Sequence, residues 1–184
     1  MRKDWQQEHE LLAAAGFVVA AGLTEAELLA AESAIGSRMP PDLRQFLSEG
    51  LPIGSGFPNW REPRSEEILA QLEGPFEGIA FDIEHNAFWW ASWGPRPLAL
   101  ADAIELAQLQ VAAVPRLIQI YGHRYIPAEP CISGNPVYSV YQTDVIYYGM
   151  NLSNYLRCEF APSATEEATD EEPRTIPFWD ELVE

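Results

Sequence analysis

Val137-Tyr138-Ser139-Val140-Tyr141-Gln142-Thr143-Asp144-Val145-Ile146-Tyr147-Tyr148 is the stretch on which the fold turns. Two runs of β-branched and aromatic residues, 137–142 and 144–148, meet at a polar break, the pattern of short antiparallel strands. Residues 117–121 and 125–127 share this composition and are set off by Gly, Pro and Asn. Four such runs close together in sequence predict an antiparallel sheet.

Helical signals surround them. Residues 5–15 read as a helix with Leu11 and Leu12 inward and Gly16 as its C-terminal cap. Thr24 and Glu27 form a capping box ahead of Leu28, Ala31 and Ile35, and Gly36 ends that helix. Pro41 suits the first turn of a third helix through Leu43, Phe46 and Leu47 to Gly50. The Gly- and Pro-dense stretch 50–63 reads as an ordered loop pinned by Phe57 and Trp60, after which Ser65 caps a short helix through Leu72. Residues 76–86 fit both periods: Ile79, Phe81 and Ile83 alternate, while Phe76, Ile79, Ala80 and Ile83 line one helical face. Residues 98–114 form an Ala- and Leu-rich helix stopped by Pro115, and Asn151 caps a closing helix to Phe160.

The expected class is α+β, helices packed on an antiparallel β-sheet in one domain, since 184 residues supply one core. Within it, 1–22 form an N-terminal helix and turn, 23–160 the body, 161–175 an acidic mobile loop, and 176–184 a segment that docks back through Phe178 and Trp179.

A net charge of −17 repels phosphate backbones and excludes direct nucleic-acid binding, while a basic protein is its electrostatic complement. Cys131 and Cys158 are too isolated for a disulfide framework and read as reduced core residues. The apolar run 11–23 follows Arg2 and Lys3 as in a signal peptide. Asp4, Glu8 and Glu10 contradict that layout, and the run is too short to span a bilayer. A cytoplasmic location with no membrane partner is expected.

Asp82, Glu84, His85, His123 and Asp144 are the residue types that could assemble a metal or hydrolytic site, but their spacing matches no metal motif. The simpler expectation is that Asp82 and His85 cap or brace the aromatic segment and Asp144 supports the strand turn, while Arg96 is a buried partner for a carboxylate such as Asp82 or, alternatively, a surface hydrogen-bond donor. No catalytic residue, cofactor or metal is expected. Trp60, Trp89, Trp90 and Trp93 suit a core or an interface. If 88–93 is extended, Trp89 and Trp90 point to opposite faces, with Trp90 the exposed one. Candidate partner-binding residues are therefore Trp60, Glu84, Trp90, Asp144 and the acids Glu166, Glu167, Asp170, Glu171 and Glu172.

Leu23, Glu27, Leu28, Glu32, Ile35-Gly36, Met39-Pro40, Asp42-Leu43-Arg44 and Phe46-Leu47 resemble the opening helices of the SMI-one/KNR-four family of the SUKH superfamily. The resemblance runs on through 81–86, Phe88-Trp89, 93–97 and 135–149; Ser48-Glu49-Gly50 departs from the Asn-Gly often found after the third helix. It implies an α+β protein-binding domain without catalytic residues, in many bacterial members an immunity protein that masks a toxin, nucleases among them. The alternatives are a cellular scaffold or regulator with no toxin, and a hydrolase using Asp82, His85, His123 and Asp144.

Overall fold

The computed structural model describes residues 3–161 and 172–183. Among them the chain is α+β: helices α1 (Gln6–Ala14), α2 (Glu25–Ile35), α3 (Pro41–Glu49), α4 (Glu66–His85), α5 (Leu100–Val111) and α6 (Leu152–Phe160) surround two antiparallel sheets. Strands β1 (Val18–Ala21) and β2 (Gly50–Ile53) form a ribbon, and β3 (Leu117–Tyr121), β4 (Arg124–Pro127), β5 (Val137–Tyr141) and β6 (Asp144–Gly149) form a meander in chain order.

Local chemistry sets several boundaries. Thr24 accepts from the Glu27 N–H while the Glu27 carboxylate accepts from the Thr24 N–H, and Gly36 closes α2 at φ 77. Asn151 caps α6 through the Asn154 N–H. Pro41 opens α3, where its missing N–H leaves no helical bond unmade.

The four-stranded sheet is the middle layer. One face joins Ile118, Ile120, Ile126 and Val137 to the cluster of α1, α2, α3 and α6, with Trp5, Phe46 and Tyr155 inside. The other joins Leu117, Tyr125, Tyr138, Val140 and Val145 to Ile79, Ile83, Ala103 and Ala107 of α4 and α5. Helix α4 begins in the first cluster with Ile68 and Leu72 and ends in the second.

After the undescribed residues the chain returns to this second cluster, burying Ile176, Phe178, Trp179 and Leu182. Trp179 Nε1 donates to the Pro115 carbonyl at 2.6 Å, and the Tyr138 hydroxyl donates to Asp180. Val183 bridges β6 at Val145 in parallel. No helix among the described residues is long and apolar enough to cross a membrane.

Three expectations need correction. The helix after Ser65 does not stop at Leu72; it runs 20 residues to His85 through Pro75, so 76–85 is helix with Asn86 as its C-cap. A proline inside a helix costs about 3 kcal/mol, and burial of Ile68, Leu72, Ile79 and Ile83 along one face offsets it. The loop beginning at Gly50 opens with a strand paired to 18–21, which the sequence reading did not anticipate. Cys131 is exposed and Cys158 partly so; neither is a core residue.

Candidate functional site

The chemically capable residues are best followed outward from Asp82. It lies buried in the last turn of α4, one turn after Gly78. Its Oδ2 accepts from the Thr143 N–H at 2.9 Å and the Thr143 hydroxyl at 2.6 Å, and its Oδ1 accepts from Asn86 Nδ2 at 2.6 Å. Burial alone would raise this carboxyl; the Thr143 and Asn86 hydrogen bonds outweigh it and hold it below its ordinary value. A carboxylate engaged in this way fastens α4 to the hairpin between β5 and β6.

Gly78 makes the close approach possible. A Cβ there would lie 2.7 Å from the Cα of Gln142, the turn residue held at φ 59. The turn Gln142-Thr143 is thus seated between Gly78 and Asp82, while Tyr141 and Asp144 flank it as the cross-strand pair. Asp82 therefore braces the β5–β6 turn through its carboxylate and not the aromatic segment 88–93. The turn is held by that residue from across the chain, and Asp144 itself is exposed.

The remaining members of the hydrolytic set do not join Asp82. His85 is exposed, lies against Phe81 with ring centroids 4.4 Å apart and planes tilted by 50°, and places Nε2 3.7 Å from Glu84 Oε2. His123 is exposed in the turn between β3 and β4, its carbonyl accepting the Val140 N–H. These residues share one end of the sheet, yet no three His, Cys, Asp or Glu among the described residues stand close enough to hold a metal ion.

Arg96 does not pair with Asp82. It donates to the Ile83 carbonyl at 2.7 Å, because Thr143 and Asn86 already occupy the carboxylate.

Trp60 cannot contact a partner: it is 2% exposed, in the first cluster with Phe57 and Leu47. Trp90 is not the free member of its pair either. The chain enters a 3-10 turn at Ala91 and does not run extended to Trp93, so strand alternation does not apply. Both indoles are half-buried, Trp90 against Phe178 at 5.8 Å and Trp89 against Trp93 at 5.3 Å, with Trp89 Nε1 donating to Gly94. Glu84, Asp144 and Glu172 are exposed. Glu166, Glu167, Asp170 and Glu171, like the acidic loop as a whole up to that point, lie outside the described residues.

What the sequence reading missed is the exposure of apolar side chains on the two elements that this joint fastens: Phe81 is 45% exposed on α4, and Tyr141 and Ile146 are 67% and 41% exposed on the β5–β6 hairpin, alternating with Val140 and Val145 and so on the strand face turned away from α4. Glu77 and Glu84 on α4 and Asp144 on β6 are exposed on the same elements. Phe81 could be placed on the same side as Asp82 and His85 only once 76–85 is known to be helical. Comparison with family models, characterised proteins and solved structures gives no match.

Proposed function

We propose that this chain is a non-enzymatic, cytoplasmic protein-binding domain that covers a basic partner, and that the partner is a toxin domain it neutralises by masking. The observation that carries the reading is that the corner where Asp82 and Thr143 fasten α4 to the β5–β6 hairpin carries exposed apolar side chains on both elements, Phe81 on α4 and Tyr141 and Ile146 on the hairpin, with Glu77, Glu84 and Asp144 exposed on the same elements. Exposed aromatics on rigid backbone lose little entropy on binding, and the surrounding acids favour basic partners and speed encounter.

Support for immunity in particular comes from the resemblance of the opening helices to SMI-one/KNR-four chains and from the net charge of −17. Hydrolysis by the Asp82 set is the weaker reading, because that carboxylate is consumed by Thr143 and Asn86. The test is co-expression with the toxin-like product of a neighbouring gene. Rescue of growth by the wild-type chain and its loss in Phe81→Arg/Tyr141→Arg would support masking through this corner. Rescue unaffected by that double substitution would contradict it. A housekeeping partner bound at the same corner would make the chain a regulator.

A further inference from the structure

A second surface lies in the other layer of the molecule. Strand β1 pairs with β2 on one side and with no described strand on the other. An open groove of about 480 Å³ lies between β1 and α1, lined by Val19, Ala20 and Ala21 of the strand and His9, Glu10 and Ala13 of the helix. Ala13 of α1 and Ala20 and Ala21 of β1 line it, so small side chains leave room for a second backbone to come close. Asp4, Glu10 and Glu49 line it as well.

We propose that the free edge of β1, the strand that lines the groove beside α1, docks an extended basic segment of a partner protein as an added strand. A strand edge alongside a helix is the arrangement in which main-chain hydrogen bonds give affinity and alternate side chains give specificity. Three features select the occupant. The three carboxylates favour Lys or Arg side chains and disfavour a second copy of this chain, whose net charge is −17. The Arg61 guanidinium donates to the Ala21 and Gly22 carbonyls and marks where an added strand stops. At the other end the cross-strand pair Val18 and Ile53 is 64% and 39% exposed, offering apolar contact.

The site is independent of the α4 corner and stands or falls separately from it. The test uses the full chain and a labelled octapeptide of alternating Lys and Val, with fluorescence anisotropy for affinity and amide hydrogen exchange for location. A second peptide of the same sequence, N-methylated at alternate backbone positions, keeps the charge and loses one edge's donors. The proposal expects β1 amides to gain at least about tenfold protection, and the methylated peptide to bind at least about tenfold more weakly. Ala13→Trp, which fills the groove from an exposed helix position, and Glu10→Lys should each weaken binding similarly with the unfolding midpoint unchanged. Equal binding of both peptides, unchanged β1 exchange at saturation, or β1 protection appearing on concentrating the protein alone would each overturn it.

Discussion

Asp82 on α4 holds the backbone N–H and the hydroxyl of Thr143 on one carboxylate oxygen, at 2.9 and 2.6 Å, across 61 positions of chain. This pair joins α4, the longest described helix, to the β5–β6 hairpin, the two elements that carry the exposed Phe81 and Tyr141. Removing the carboxylate leaves the Thr143 N–H and the Asn86 amide without their acceptor, a loss of about 2 kcal/mol. Asp82→Ala should therefore lower the urea midpoint clearly, with Thr143→Val lowering it less. A double-mutant cycle should show the two effects to be coupled, and additive effects would count against the clamp.

Gly78 carries the steric side of the same joint. Gly→Ala within a helix ordinarily gains about 1 kcal/mol. Here the new Cβ would meet the Gln142 Cα at 2.7 Å, and backbone must move. The sign should reverse, with Gly78→Ala destabilising the chain in urea titration.

Stability should fall in two stages as the solution is acidified. Burial holds the His9 imidazole below its ordinary 6.5, against the raising influence of Glu49 and Glu8. The unfolded chain then binds the proton first, so His9's contribution is present above 6.5 and is lost as pH falls through the lower folded value. Glu8 and Asp82, both held below their ordinary 4.5 and 3.8, contribute stability present above those values and lost as pH falls further. Asp42 works oppositely, since burial raises it and acid relieves that cost. Urea midpoints measured from about pH 8 to about pH 5 should decline, and His9→Gln should flatten that limb.

The C-terminal segment should be part of the core energetically as well as spatially. Trp179 is 2% exposed and its indole N–H has a carbonyl partner in Pro115. Trp179→Ala should cost about 3–5 kcal/mol, and deletion of 176–184 should expose the second cluster to a hydrophobic dye. A deletion that leaves the unfolding midpoint unchanged would contradict this packing.

Legibility in the sequence followed the range of the cause. The Thr24–Glu27 box, the Asn151 cap and strands β3 to β6 depend on neighbours within a few residues, and their residue types announced them. Strand β1 did not, because Val18-Val19-Ala20-Ala21 shows no alternation and its partner Leu51 lies among glycines and prolines 31 positions after Ala20. Gly74-Pro75 reads locally as a break, and only tertiary burial carries α4 through it. Trp60 reads as core or interface alike because both select the same aromatics, and burial decides for the core. The exposure of Phe81 and Tyr141 is not legible because it depends on α4 running on through His85 and on the hairpin's packing.

Binding of a basic partner, as proposed, uses the exposed Phe81 of α4 and Tyr141 of the β5–β6 hairpin. The most direct measurement is capture from native-host lysate at moderate salt, with the wild-type chain and Phe81→Arg/Tyr141→Arg as parallel baits and mass spectrometry of what each retains. One basic chain held near stoichiometric amount by the wild type and lost by the variant is the predicted result. An identical retained set on both baits, or none surviving the salt step on either, would contradict it.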